Sequence, residues 1–338
     1  KRLIFHRVPM IGGLSVLEAL SFAGNTKKLL RRESFDIIHS FERTIYQDIY
    51  RAGDGCHAEW LLRRRKIDPP YKRIINRINP LHRSLLWLEK RIFAPGNYRL
   101  IIANSERGKQ EIMRHYGVPA ENIRVVYNAV DLEKFQAGDG EEDRSAIRER
   151  LGMGASDPVL LYVGSGFKRK GVAAAMTALA RLPENIRLVV VGRERLRPYR
   201  RLAAKLGLAD RIYFTGPVRA VERYYRAADL FVFPTVYEPF SNACLEAMAA
   251  GLPVVTSRIN GAAEVIREGR NGYLITDPTD SAEIAQRVRQ GLELDRSAAA
   301  AVNRKLLDRF TWTEHIRQMT AIYAMVLAEK TNRGEAHG

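Results

Sequence analysis

The sequence predicts an α/β protein of two parallel-sheet domains, and three observations predict it. Short β-branched runs alternate with helix-like stretches along the chain, the pattern of βαβ units. Runs such as Val159-Leu160-Leu161-Tyr162-Val163 are apolar at every position, as a strand covered on both faces requires. The polar stretch Gly138-Asp139-Gly140-Glu141-Glu142-Asp143 interrupts the alternation, and a fresh βαβ series follows it.

In the first half, residues 36–39, 99–103 and 122–126 read as strands. Residues 105–116 read as a helix with Ser105 as its N-cap, because a serine oxygen can accept from an otherwise orphaned backbone N–H. In the second half, strands are expected at 159–163, 187–191, 211–214, 230–233 and 253–256. Helices separate them at about 170–182, 197–206, 220–227 and 241–250. A last helix, 312–330, has no strand after it, and the polar tail 331–338 is expected to fray. The linker is placed near 132–141. The expected organisation is therefore a domain over 1–135, a second over 136–311, and the helix 312–330 crossing back to the first. No internal repeat of the solenoid kind is visible.

The 338 residues can bury a real core, and 46% apolar with 28% charged residues is ordinary for a globular chain. Disordered, collagenous and coiled-coil classes are excluded. Two cysteines, Cys56 and Cys244, cannot make a disulfide framework or a zinc site, so a reducing compartment is the simple reading. No apolar run approaches the ~20 residues that cross a bilayer. The charge is unusual: 55 Lys+Arg against 38 Asp+Glu, a net +17. Such a chain is expected to meet nucleic acid, an acidic membrane face or a phosphorylated substrate. The charge concentrates between His57 and Phe93, where ten Lys/Arg face three acids. Trp60, Tyr71, Ile74, Ile75, Ile78 and Trp87 interleave with them at roughly helical spacing. This pattern fits the interface of an anionic membrane. A helix pair with its apolar face in the core, or a nucleic-acid surface, are the alternatives.

Two segments carry chemistry. The first is Gly164-Ser-Gly-Phe-Lys-Arg-Lys-Gly171, directly after the strand 159–163. Gly164 and Gly166 permit a tight turn that exposes backbone N–H groups, and a helix start attracts anions. Arg169 and Lys170 add two full charges at the same mouth, a combination that fits a diphosphate. The segment matches neither G-x-G-x-x-G nor a P-loop, and alone it is equally a structural turn. The second segment is Glu238-Pro-Phe-Ser-Asn-Ala-Cys-Leu-Glu246, an E-x7-E pair after the strand 230–233. Glu238 falls in a strand-to-helix loop, where open α/β sheets bind ligands. Glu246 is the only charge in an apolar helix and needs partners there. A sugar diol can donate two hydrogen bonds to one carboxylate, and the amides of Phe240, Ser241 and Asn242 can meet phosphate oxygens. For Glu246 alone, a bridge to a basic neighbour is the alternative.

Taken together, these segments resemble the retaining GT-B glycosyltransferases of family four. Asn104-Ser105-Glu106, Asn128-Ala-Val-Asp131 with Phe135, and Ala249-Ala-Gly-Leu-Pro-Val254 are similar to that family, as are Gly261, Glu264 and Asn271-Gly272-Tyr273-Leu274. The resemblance spans roughly residues 35–330 and is densest over 158–276. Within the family, Val163-Gly-Ser-Gly-Phe-Lys-Arg-Lys-Gly-Val172 and Gly53-Asp-Gly-Cys-His-Ala-Glu59 look most like the lipopolysaccharide core glucosyltransferases, which add glucose from UDP-glucose to the inner-core heptose.

The resemblance implies the GT-B architecture, two Rossmann-like parallel-sheet domains facing across a cleft, with the nucleotide sugar on the C-terminal half. Arg169 and Lys170 would hold the diphosphate, Glu246 the ribose and Glu238 the donor hexose. Arg193 and Val218 would flank the base. Many relatives carry a histidine after a strand of the first domain; here the turn is Ala52-Gly-Asp-Gly55, so Asp54 would orient the donor or stabilise charge on it. His39 is a further candidate, with a hydrogen-bonded structural histidine as the alternative. No D-x-D occurs, so no metal-holding pair is evident and no cofactor beyond the UDP-sugar is expected. The implied setting is cytoplasmic: a monomer, peripheral on the inner membrane through 57–93, acting on an anionic lipid-linked glycan and not on nucleic acid. Other hexosyl or N-acetylhexosaminyl transferases share the constellation. A nucleic-acid binder leaves both glutamates without a role, and an NADP-dependent oxidoreductase lacks G-x-G-x-x-G. The family begins with a strand, a glycine-rich loop and a helix that nothing before Leu3 supplies, so the chain is expected to be about 40–50 residues short of its first βα unit.

Overall fold

A computed structural model describes residues 3–136, 140–154 and 156–332. Residues 137–139 of the expected linker, and 333–338 of the expected frayed tail, lie outside them. The chain packs as two compact units, residues 1–127 with 316–338 and residues 128–315.

The first unit is built on a parallel sheet of β1 (His39–Ser40), β2 (Ile49–Ala52), β3 (Leu100–Ala103) and β4 (Ile123–Val125), in that spatial order. Side chains alternate across a strand. Tyr50, Ala52, Ile101 and Ala103 therefore share one face, packed with Ile92 and Ile112 from helices Pro80–Ile92 and Glu106–Tyr116 and with Phe93, which caps the first of them. Ile49, Leu100 and Ile102 take the other face, covered by Met319, Ile322 and Val326 of helix Trp312–Asn332. The strand expected at 36–39 forms only at its end. Asp48 takes the Ile38 N–H at 2.8 Å, so that backbone group bonds a side chain instead of a neighbouring strand. Strand β2 is not visible in the sequence, because Arg51 interrupts a run of only four residues.

The basic segment folds as three helices, His57–Arg64, Pro70–Ile78 and Pro80–Ile92. Prolines open the second and third, where a missing N–H is harmless. Buried Asp68 accepts from Arg64 Nε at 2.6 Å and Asn76 Nδ2 at 2.8 Å, tying the first helix to the second. Helix Pro70–Ile78 buries none of its residues: Tyr71, Ile74, Ile75 and Ile78 are 60, 67, 52 and 65% exposed. The core-packing alternative therefore does not describe this helix.

The second unit is a six-stranded parallel sheet of β5 (Val159–Val163), β6 (Arg187–Val191), β7 (Ile212–Gly216), β8 (Leu230–Phe233), β9 (Val254–Ser257) and β10 (Gly272–Ile275). Its order is β10-β9-β8-β5-β6-β7. The chain winds outward from β5 through β7, then returns to β8 on β5's other side. The carboxyl ends of β5 and β8 flank this reversal, where open α/β sheets bind ligands. The helix expected at 170–182 is two pieces, Phe167–Lys170 and Val172–Leu179, parted by Gly171 with φ of 82°.

Candidate functional site

Both chemistry-bearing segments leave the sheet at the reversal. The loop after β5 carries Gly164 and Gly166, and the loop after β8 runs through Thr235 and Tyr237 to Glu238. Backbone bonds zip them together: Val236 N donates to Arg169 O at 2.9 Å. Close approach demands glycine at two positions. A Cβ on Gly171 would stand 1.9 Å from Pro234 O, and one on Gly192 would stand 2.1 Å from Gly164 O. The turns after β5 and β6, and the loop after β8, therefore pack backbone to backbone.

This packing brings Arg169, Lys170 and Glu238 together. Arg169 Nη1 donates to Glu238 Oε2 at 2.9 Å and to Tyr237 O at 2.8 Å. Lys170 Nζ lies 3.4 Å from the same carboxylate oxygen and 5.5 Å from the centre of the Phe233 ring. Two cations thus converge on one buried carboxylate at the strand ends. They form a ready anion site whose charge an internal acid balances.

Glu246 sits on helix Asn242–Ala249, half-buried, and accepts from Tyr225 Oη at 2.8 Å. Burial pushes its carboxyl above the usual range, while the Tyr225 hydroxyl, Lys134 and Lys170 pull it back. Ser241 caps this helix by accepting from Cys244 N. Its own N–H is committed to Asn260 Oδ1 at 3.2 Å, so the expected row of three phosphate-facing amides is reduced at Ser241. The Phe240 side chain is buried and stacks with Phe310, ring centres 6.1 Å apart. Asn242 is exposed and accepts from Asn128 Nδ2 at 2.6 Å. Arg193 is exposed after β6, with its N–H on Ser165 Oγ at 3.1 Å; Val218 is half-buried after β7.

Asp54 belongs to the first unit. Its turn follows β2 and is closed by Gly55 N on Ala52 O at 3.2 Å, with Asn104 Nδ2 donating to Gly53 O at 3.0 Å. Asp54 lies 3.5 Å from Arg43 Nη1. His39 opens β1's short pairing, opposite Ile49. Its Nδ1 is 2.8 Å from Tyr323 Oη, its ring lies against Phe41, and its buried Nε2 has no partner. Burial, then the charge of Arg51, lowers its pKa to about 4, so the ring is neutral near pH 7.

Tyr225, Asn260 and Arg43 escape the sequence reading. Each sits far in sequence from its partner, and a lone tyrosine, asparagine or arginine carries no spacing signal. Among the described residues, no three His, Cys, Asp or Glu side chains are grouped to hold a metal ion, and no helix is long and apolar enough to cross a membrane.

Two family models match. One described as Glycosyltransferase Family 4 covers residues 1–134, and one described as Glycosyl transferases group 1 covers 143–306. The lipopolysaccharide glucosyltransferase WaaG of Escherichia coli is 28% identical, over 78% of this chain and 70% of its own. A D-inositol 3-phosphate glycosyltransferase of Xylanimonas cellulosilytica is 32% identical, over 69% of this chain and 58% of its own. The crystal structure of WaaG, a glycosyltransferase involved in lipopolysaccharide biosynthesis, aligns with a TM-score of 0.75 and 25% identity, over 90% of this chain and 81% of that one. Anabaena Alr3699/HepE in complex with UDP-glucose shares the fold, with a TM-score of 0.65 at 24% identity, over 82% of this chain and 72% of that one. Two parallel sheets, a charged site at the strand-order reversal and these relatives agree: the chain belongs to the GT-B glycosyltransferases of family four.

Proposed function

We propose that this glycosyltransferase transfers a hexose with retention, taking glucose from UDP-glucose to an inner-core heptose of lipopolysaccharide or a related lipid-linked glycan. The observation that carries the reading is the shared carboxylate of Glu238 between Arg169 and Lys170, with the Lys170 charge also acting on Glu246. In the free protein Glu238 balances both cations. A donor diphosphate competes for them, and the released Glu238 accepts hydroxyls of the hexose. Glu246 takes the ribose diol, and Arg193 and Val218 flank the base. As the C–O bond breaks, charge grows on the diphosphate between two fixed cations, a preorganised arrangement that is often the largest catalytic contribution. The acceptor hydroxyl attacks on the face the diphosphate leaves, and the departing phosphate oxygen takes its proton. Asp54 orients the sugar or stabilises positive charge on it. No step calls for a divalent ion, since Arg169 and Lys170 supply the charge.

UDP-glucose is preferred because the E. coli relative is a glucosyltransferase and a structure of the same fold holds UDP-glucose. The 32% identical inositol-phosphate enzyme favours a second reading, another family-four hexosyl or N-acetylhexosaminyl transferase. The acceptor-side reading is a monomer, peripheral on the cytoplasmic face of the inner membrane through residues 57–93. The test is release of nucleotide from UDP- and GDP-sugars, with and without lipopolysaccharide or inositol phosphate. UDP release from UDP-glucose, stimulated by lipopolysaccharide, is expected and should survive a chelator. Stimulation by inositol phosphate instead selects the second reading. Loss with chelator, restored by added metal, overturns the metal-independent mechanism.

A further inference from the structure

The residue that the family reading leaves without a role is Arg43, in the loop between β1 and β2. Its guanidinium holds one carboxylate on each terminal nitrogen: Nη2 is 3.4 Å from Glu89 Oε1, and Nη1 is 3.5 Å from Asp54 Oδ2. The three side chains grade outward from core to solvent, Glu89 at 2%, Arg43 at 19% and Asp54 at 75% exposed. Glu89 is anchored independently. It accepts from His57 N at 2.6 Å, from Ala58 N at 3.3 Å and from the Tyr116 hydroxyl. Two of those donors are the first amides of helix His57–Arg64, where a carboxylate is favoured by the helix dipole. Its position is therefore set by the fold and not by Asp54.

An ion pair between two exposed, mobile side chains is weak, because both must be immobilised to form it. Here one partner is already immobilised. Arg43 is held by a buried acid, and the Asp54 turn is held from its other side by Asn104 on Gly53 O. Only the Asp54 side-chain torsions remain, and Arg43 selects among them. A lysine cannot reproduce this, since one ammonium cannot present separate nitrogens to two carboxylates in the same fork.

We infer that Arg43 is a positioning residue for transfer: supported by Glu89, it fixes the direction in which the Asp54 carboxylate points. This rests on the assignment of Asp54 to the donor sugar. Arg43 itself touches no substrate in the inference, so its loss acts through Asp54.

The test measures UDP release from UDP-glucose by the full chain, with UDP affinity measured by calorimetry. Arg43→Met is expected to lower kcat about tenfold while KM for UDP-glucose and UDP affinity stay within about twofold, because orientation and not binding is lost. Arg43→Lys should not restore the rate, since one ammonium cannot serve both carboxylates. Asp54→Ala should lower kcat at least as far, and Arg43→Met/Asp54→Ala should be no slower than Asp54→Ala alone. Arg43→Met leaves the buried Glu89 charge without its cation, though still hydrogen-bonded, and can destabilise the unit. Arg43→Met/Glu89→Gln removes that charge while keeping an acceptor for the helix amides, and should show the same kcat loss in a folded protein. Wild-type kcat in that variant, or the two single losses multiplying in full, overturns the inference. If Asp54→Ala turns over UDP-glucose like the wild type, the Asp54 assignment fails and takes the inference with it. That outcome is distinguishable, because it is read without changing Arg43.

Discussion

At the scale of residues, the two glutamates behave differently and predict different defects. Glu246 is half-buried, with one oxygen on Tyr225. A hydrogen bond to a charged group contributes about 1.5–3 kcal/mol, so Glu246→Ala should weaken UDP binding by about ten- to a hundredfold. Calorimetry with UDP checks this, and unchanged affinity would remove Glu246 from the nucleotide site. Glu238→Gln should act otherwise: it frees Arg169 and Lys170 from an internal acid, so UDP affinity should hold or rise while turnover of UDP-glucose falls. Histidines add a pH prediction. His39 and His57 each have a pKa lowered to about 4, mainly by burial. Between their ordinary 6.5 and 4, the unfolded chain binds protons that the folded chain does not. Stability should therefore fall as pH drops through that window. The urea midpoint should decline from pH 6.5 to 4.5, and His39→Gln/His57→Gln should flatten the decline. Two carboxylates held low against burial, Glu59 by His115 and Arg63 and Asp143 by Arg223 and Arg226, add their loss from about their ordinary 4.5 and 3.8 downward, at the foot of that window and below it. The contrast between Glu238 and Tyr225 shows what was legible at this scale. Glu238 and Glu246 announce themselves by spacing within one loop and helix. Tyr225 reaches Glu246 only because helix Val221–Ala227 and helix Asn242–Ala249 pack together, which no local pattern encodes.

Elements were readable where burial is uniform. Strands β5, β6 and β8 are apolar almost throughout and stand where the sequence puts them. Strand β2, with Arg51 at its centre, and β1, reduced to His39–Ser40, were missed or misplaced. β2 pairs with the already buried β3, and β1 pairs in turn with β2, so tertiary pairing overrides weak local preference in both. The break between helices Phe167–Lys170 and Val172–Leu179 was legible only as a glycine. Its cause is contact, since Pro234 O leaves no room for a side chain. That cause is testable against backbone strain alone. Gly207 also has positive φ, 67°, but nothing stands within 4 Å of a Cβ there. Gly207→Ala should cost about 1–2 kcal/mol, the price of a left-handed alanine. Gly171→Ala carries the same strain plus a backbone clash, adding at least ~2 kcal/mol and lowering the melting midpoint by about 4–8 °C more. Equal shifts for the two variants would show that the loop after β8 can retreat, and that the close packing does not hold the site.

For the whole molecule, the net charge of +17 resolves into places. Residues 57–93 hold ten Lys/Arg against three acids, and residues 193–205 hold six against one glutamate. The second group lies after β6 on the unit that carries Arg169, where it can attract a donor diphosphate from solution, an effect that salt screens. The first group differs because apolar side chains are exposed among the charges. Helix Pro70–Ile78 presents Tyr71, Ile74, Ile75 and Ile78 with Lys72, Arg73 and Arg77 and buries none of them. Charge alone gives binding that salt abolishes, whereas inserted apolar surface gives a salt-resistant remainder. Each basic residue near an anionic surface contributes about 1 kcal/mol, so replacing Lys72, Arg73 and Arg77 by Gln should weaken partitioning onto phosphatidylglycerol vesicles about a hundredfold. The change should leave weak binding to neutral vesicles intact. Ile74→Ser/Ile78→Ser should do the reverse, keeping binding at low salt and losing it at high salt. The isoleucine variant should melt like the wild type, since both positions are exposed, and the charge variant should lose little, the Arg73 Nε bond to Asp68 O being its main contact. Replacing Arg197, Arg200 and Arg201 by Gln is the control and should leave vesicle sedimentation nearly unchanged. If that control loses binding while the helix 70–78 variants keep it, the membrane face lies on the unit that carries Arg169, and the exposed isoleucines need another partner.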